Sequence, residues 1–428
     1  MHARSDHSQK RVLVVWYCDP RYIPPFLLSE RQVTIGPKWF PDQPQMMFAG
    51  WTPRGVYDLK AAVSALGIDS RFDAIVVWAD ASGVNFPLNL EAFDCPRVLC
   101  VGDTHHLQSP LNKMITYARA TRYDFVLSSH NRQHLHWFGE AGFSKLAWFP
   151  GLKVQHFPKP FTNSRTRQIC FVGNVAANHL RRRHLLEALQ RNSIALLVTR
   201  APQHAAADVF ASSLVSFNAS LNGDLNLRVF EILSAGGCLV TDRLSEQSGL
   251  DLVLKEGKDF IGYDTEEELV KQVRFLLERP NSALDIARSG TRVFTQGMLP
   301  RHRAAQLLAW IFDDRLDEMF RFPSARSGGP VSLTDRIRVY EELQELQRTT
   351  ERPRVLFAPQ VPDVYLEDAA DLRRLTVSIA DIGSPRKSEQ RHAAATKNEL
   401  ETIHWDRAVM TRGAPLPPSI RFRQPVLI

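Results

Sequence analysis

Short apolar runs rich in β-branched residues recur along this chain with helix-patterned stretches between them, and no other feature restricts the fold as much. RVLVVWY (11–17), FDAIVVWA (72–79), PRVLCVG (96–102), YDFVLSS (123–129) and KLAWFPG (145–151) come first. They are apolar throughout rather than at every second position, as strands are when both faces of a sheet are covered. Helical spacing in HNRQHLHWFGEAGF (130–143) supplies one such cover. The alternation predicts a parallel sheet with helices on both faces.

The pattern stops at a Pro-rich polar stretch, VQHFPKPFTNSRTRQ (154–168), which reads as an interdomain linker, and then restarts. The second series is ICFVGN (169–174), a helix over 179–191, SIALLVT (193–199), SLVSFNAS (213–220), a helix over 225–236, CLVTD (238–242) and DFIGYD (259–264). TEEELVKQVRFLLERP then sets Leu269, Val273, Leu276 and Leu277 on one stripe, with acidic residues in the first turn where the helix dipole favours them. The fold class expected is α/β, with two doubly wound Rossmann-like domains over 10–160 and 161–315. A helical and irregular C-terminal extension, 316–428, follows a flexible break at PSARSGGP and contains one candidate strand, RPRVLFAP. Its role is not assigned.

A chain of 428 residues suits two such domains better than one core. The net charge of +7 favours an anionic partner, and phosphate in a pocket explains it better than nucleic acid, for which there is no clustered basic face or recognition motif. Five cysteines without a CxxC pair imply reduced thiols rather than disulfides or a zinc ribbon. No apolar stretch approaches the roughly 18 residues of a membrane span, and the first apolar run is too short for a signal peptide. A cytoplasmic protein, at most peripheral to a membrane, is expected.

Several chemistries lack their signatures. There is no GxxxxGK[ST], no HExxH, no GxSxG and no Asp-x-Asp, and the first strand runs into CDPRYIPP rather than GxGxxG. Two segments of the second series are more informative. In FVGNVAANHLRRRHLLEAL, Gly173 and Asn174 end a strand before a helix start ringed by Arg181, Arg182 and Arg183. A glycine admits close approach of a phosphate, and a helix N-terminus with arginines supplies positive potential for a diphosphate. In NASLNGDLNLRVFEILSAGGCLVTD, Asn226 and Arg228 open a helix where they can meet phosphate oxygens, and Glu231 follows within a turn as a carboxylate for ribose hydroxyls. Gly236 and Gly237 read as the end of that helix rather than as ligand contacts.

These segments, with EGKDFIGYDTEEELVKQVRFLLERPNSALDIARSGTRVF downstream and YDFVLSSHNRQHLHWFGEAGF upstream, resemble the spore-maturation-type branch of the group 1 glycosyltransferases, over roughly 70–310. The resemblance implies the GT-B fold, in which the two domains face each other across a cleft. It implies a nucleotide-sugar donor on the second domain, at Gly173, Asn174, Arg183, Asn226, Arg228 and Glu231, with no metal or other cofactor. It implies a glycan, lipid-linked or protein acceptor on the first domain, as in polysaccharide biosynthesis. The family's Glu-x7-Glu pair is incomplete: Glu231 matches the ribose-binding glutamate, but Gly223 occupies the earlier position.

CVGDTHHLQSP (100–110) places Asp103, His105 and His106 at a first-domain strand end, where a base for the acceptor hydroxyl belongs. His130 also follows a strand, whereas His134, His136, His179 and His184 read as surface or core histidines. Two competing readings follow from the same residues. Gly223 in place of a glutamate suits a degenerate protein that binds a nucleotide sugar or a partner without turnover. Asp103, His105 and His106 as metal ligands would make a hydrolase, against which adjacent histidines on extended backbone point to opposite sides.

Overall fold

The computed structural model describes residues 6–105, 107–177, 179–322, 331–350, 353–373, 375–380, 393–395, 404–411, 416 and 420–428. The first series forms a seven-stranded sheet in the order Gly50–Trp51, Val33–Gly36, Val12–Val15, Ala74–Ala79, Arg97–Val101, Phe125–Ser128, Leu146–Trp148. Every neighbouring pair is parallel. All side chains of Val12–Val15 and Ala74–Ala79 are buried, as the uninterrupted apolar runs require. Val33–Gly36 and Gly50–Trp51 were not expected, being only four and two residues long.

The second series forms a five-stranded parallel sheet in the order Leu196–Thr199, Arg167–Val172, Ser213–Phe217, Leu239–Asp242, Ile261–Tyr263. The stripe read on Glu266–Glu278 enters its core through Leu269, Val273 and Leu276, with Leu277 packed at the edge. The side-chain oxygen of Thr265 caps that helix by accepting from the Glu268 N–H at 3.2 Å. One boundary needs correction. The helix Pro300–Asp313, assigned by sequence to 161–315, returns to the first domain, where Leu307, Leu308, Trp310 and Ile311 share a core with Val12, Val14 and Val76. Burying apolar side chains of that size contributes about 1.5–3 kcal/mol each.

In open parallel sheets ligands bind beyond the carboxyl ends, where strand order reverses. Here the reversals lie between Val12–Val15 and Ala74–Ala79 and between Arg167–Val172 and Ser213–Phe217. The two ends share one cleft: the Arg200 guanidinium lies 4.6 Å over the Tyr22 ring, and Arg132 Nη1 donates to the Gln247 carbonyl at 3.0 Å.

The expectation of a helical and irregular extension is also corrected. Ala393–Ala395, Thr376–Ala380, Arg354–Phe357, Trp405–Met410 and Phe422–Leu427 pair in that order as a third parallel sheet, within a compact unit of its own. Of these only Arg354–Phe357 was read from the sequence; Asp406 and Arg407 interrupt Trp405–Met410, and Pro425 interrupts Phe422–Leu427. Pro425 is tolerated because Phe422–Leu427 is an edge strand. Arg336 and Asp368 form a bidentate ion pair at 2.7 and 2.9 Å, fully buried in this unit. Four of the five cysteines are buried and all are free thiols. Among the described residues no helix is long and apolar enough to cross a membrane.

Candidate active site

The carboxyl end of the second sheet gathers most of the residues expected to hold a donor. Arg228, near the start of the helix Leu227–Ser234, folds back over the end of Arg167–Val172. Its Nε donates to the Val172 carbonyl, its Nη1 donates to Asn218 Oδ1 at 2.9 Å, and its guanidinium lies 4.4 Å over the Phe171 ring. This arrangement requires Gly173, since a Cβ there would stand 2.0 Å from Arg228 Nη2. Arg182 approaches the other side of the strand end. Its Nη1 donates to the Asn174 carbonyl at 2.7 Å, its Nη2 donates to the Ala219 carbonyl at 3.0 Å, and it lies 5.3 Å over the same ring.

Burial disfavours both cations, and Arg182 adds to the cost at Arg228, while Glu231 and Asp224 favour the charged Arg228. The hydrogen-bond partners named for both guanidiniums are carbonyl and amide oxygens, which satisfy donors without cancelling charge. Asn226 occupies the N-cap with extended backbone, but its side chain makes no capping bond and its buried Oδ1 accepts from nothing. Glu231, partly exposed, has its carboxyl pushed up by burial, against Arg228 and Gln203, which favour the anion.

Behind these groups a polar network fixes the loop 218–226. Asp242 accepts from the Ser220 N–H at 3.0 Å and the Ser220 hydroxyl at 2.8 Å, Asn218 Nδ2 donates to Thr241 Oγ1 at 2.9 Å, and the Tyr263 hydroxyl donates to the Asn218 carbonyl at 2.9 Å. The expected Arg183 is not at this end. It is exposed and lies 3.9 Å from Glu187, while its neighbour Arg182 faces inward. Spacing could have identified Arg182, which shares its helix face with Leu185, Leu186 and Leu189, three, four and seven positions on.

The first-sheet segment behaves differently. One oxygen of Asp103 accepts from the His105 N–H at 2.7 Å, closing the turn between them rather than capping the helix that follows. His105 Nε2 stands 2.6 Å from Asn131 Oδ1, Asn131 Nδ2 donates to Thr104 Oγ1 at 2.6 Å, and Thr104 Oγ1 stands 2.7 Å from His134 Nδ1. Because an amide oxygen only accepts, His105 must carry a proton on Nε2. His105, expected as a base, is therefore a buried hydrogen-bond donor, and His134 is held neutral chiefly by burial. His106 lies outside the described residues.

His130 sits between the two domains' acids. Burial foremost, then the Lys153 ammonium, lowers its imidazole to about 3, and Asp103 from the first sheet and Asp224 from the second oppose them. Lys153 is itself buried, 4.8 Å over the Trp78 ring, beside Asp80, whose carboxyl burial pushes up. Lys153 and Asp80 were not singled out by sequence, although both follow first-sheet strands, which is the available signal. Among the described residues, no group of three His, Cys, Asp or Glu side chains stands together as a metal site would need.

Residues 174–309 match the family model described as glycosyl transferase-like. Two solved structures of HepE from Anabaena share the architecture. The one in complex with UDP and glucose is 12% identical, with 70% of this chain and 98% of that chain covered at a TM-score of 0.51. The one in complex with UDP-glucose is 11% identical, with 72% and 100% covered, also at 0.51. No curated protein matches the sequence. The fold is GT-B, two Rossmann-like domains around a cleft.

Proposed function

We propose that this chain is a group 1 glycosyltransferase that moves a sugar from a nucleotide-activated donor to a glycan acceptor, without a metal. The observation that carries the reading is Arg228 folded over Gly173 beside Arg182 and Glu231, inside the stretch that matches the glycosyl transferase-like family. The HepE complexes with UDP and UDP-glucose support a nucleotide-sugar donor. The order of FVGN, the arginine-rich helix start and NLRVFEILSAGG supports the spore-maturation-type branch. A cytoplasmic role in polysaccharide biosynthesis accords with both.

When the bond between the anomeric carbon and phosphate breaks, its electron pair passes to the diphosphate. Arg182, Arg228 and the first-turn N–H groups of Leu227–Ser234 stabilise that charge from fixed positions. Glu231 accepts from the ribose hydroxyls, and the open Asn226 Oδ1 accepts a further donor hydrogen bond. The acceptor oxygen bonds the anomeric carbon and its proton leaves to a first-domain base, which we assign to Asp103, since His105 is buried and its Nε2–H is bonded to Asn131. Neutral His130 stands beside that path.

Release of nucleoside diphosphate from a panel of nucleotide sugars, in chelator, tests the reading. Turnover of at least one donor that survives chelation and is lost in Asp103→Asn supports it; a strict metal requirement overturns it. A second reading, donor binding without turnover, draws on Gly223. Its φ of +78° disfavours the glutamate that the family's pair would put there. Tight donor binding with no release from any donor would favour that reading.

A further inference from the structure

The carboxyl end of the first sheet carries a group of cations and aromatic rings that donor binding does not use. Lys38 and Trp39 begin the loop after Val33–Gly36, Arg54 follows Gly50–Trp51, and Tyr17 follows Val12–Val15. The Tyr17 and Trp39 rings lie 4.8 Å apart, with Trp39 39% exposed. Arg54 stands 5.5 Å over Tyr17 and donates to its hydroxyl at 3.1 Å. From the second domain, Arg200 covers Tyr22.

The group is rigid. Gly36 lets the chain pass against Trp16, where a Cβ would lie 1.9 Å from the carbonyl oxygen. Buried Gln43 accepts from the Trp39 N–H at 2.6 Å, and Arg54 Nη1 donates to the Lys38 carbonyl at 2.7 Å. It also makes no direct ion pair among the described residues. Other first-domain arginines hold carboxylates, as Arg21 holds Asp19, Arg71 holds Asp69 and Arg97 holds Asp124. The Lys38 ammonium donates to the Pro41 carbonyl, and among the described residues neither Lys38, Arg54 nor Arg200 meets a carboxylate at ion-pair distance. Cations held on aromatic faces without counter-ions at a cleft are arranged for an incoming anion, and an exposed indole beside them offers the apolar face on which a sugar ring stacks.

We propose that this surface is the acceptor subsite and that the acceptor is an anionic oligosaccharide, bearing uronate carboxylates or phosphates. The proposal rests on the glycosyltransferase reading. Trp39 stacks on a sugar ring, while Lys38, Arg54 and Arg200 meet the anions flanking it.

The test titrates oligogalacturonate, a phosphorylated mannan oligosaccharide and a neutral maltooligosaccharide of matched length into the full chain, with UDP titrated separately. At least one anionic ligand binds about tenfold more tightly than the neutral one, and the preference weakens with added salt. The tighter of the two anionic arms identifies carboxylate or phosphate as the group recognised. The double substitution Lys38→Gln, Arg54→Gln removes the preference, Trp39→Ala weakens all saccharides, and neither changes UDP affinity. Equal binding of neutral and anionic ligands, or UDP binding with no saccharide binding, overturns the proposal. A retained anionic preference without UDP binding overturns the donor reading alone.

Discussion

The two sheet ends that share the cleft handle polar groups in opposite ways. At the second, Arg182 is buried and Arg228 partly so, and both donate to carbonyl and amide oxygens rather than to carboxylates, with Arg182 Nε left without a partner. At the first, His105 and His134 are buried in a chain of hydrogen bonds through Asn131 and Thr104. One end holds cations without bonded carboxylates, and the other uses polar groups to fix its own loop. A buried polar group thus indicates a ligand site only when its partners leave charge or an acceptor unused, as Asn226 Oδ1 is here.

The largest effect that would break this contrast belongs to Arg228. Arg228→Ala should weaken UDP binding by about 2–5 kcal/mol, read by calorimetry, because the truncation removes a desolvated cation from an anion site. Unchanged affinity would place the diphosphate elsewhere. Next comes Asn131→Ala, which cuts the first-sheet network at its centre and should cost about 2–3 kcal/mol of unfolding free energy with UDP affinity unchanged. A loss of UDP binding equal to that of Arg228→Ala would show that the two ends are not separable.

A smaller effect concerns pH. His130 has a folded pKa of about 3 against an ordinary 6.5, so the unfolded chain takes up the proton first on acidification. Its contribution to stability is complete above pH 6.5 and is lost as pH falls towards 3. Between pH 6.5 and 5 the loss should be about 2 kcal/mol, by denaturant unfolding, and His130→Gln should flatten that slope. The smallest effect sharpens the contrast within one helix. Arg183→Ala should change stability and UDP affinity by under about 0.5 kcal/mol, whereas Arg182→Ala should markedly weaken UDP binding.

Much of this was legible in the sequence, for identifiable reasons. The ten apolar runs read as strands in the two domains all pair, because parallel strands covered on both faces need continuous apolar side chains. In the third sheet beyond Arg354–Phe357, Trp405–Met410 was hidden by its charged residues and Phe422–Leu427 by an arginine and an edge proline. At the site, Gly173, Arg228 and Glu231 stand together because a strand end and the following helix start are fixed by topology. Arg182 rather than Arg183 faces inward because helical phase, not the run of arginines, decides which side is buried. The fate of His105 depended on Asn131, 26 positions away, a partner that no local pattern reveals.

The most direct measurement compares UDP with its 2′,3′-dideoxy analogue on the intact chain and on Glu231→Ala. If Glu231 accepts from the ribose hydroxyls of a donor bound at the second sheet, the intact chain prefers UDP by tenfold or more, about 1.4 kcal/mol. Glu231→Ala then binds the two ligands equally, at the affinity of the analogue. A preference that survives the substitution, or failure of every nucleoside diphosphate to bind the intact chain, contradicts the donor site described at Gly173, Arg182, Asn226, Arg228 and Glu231.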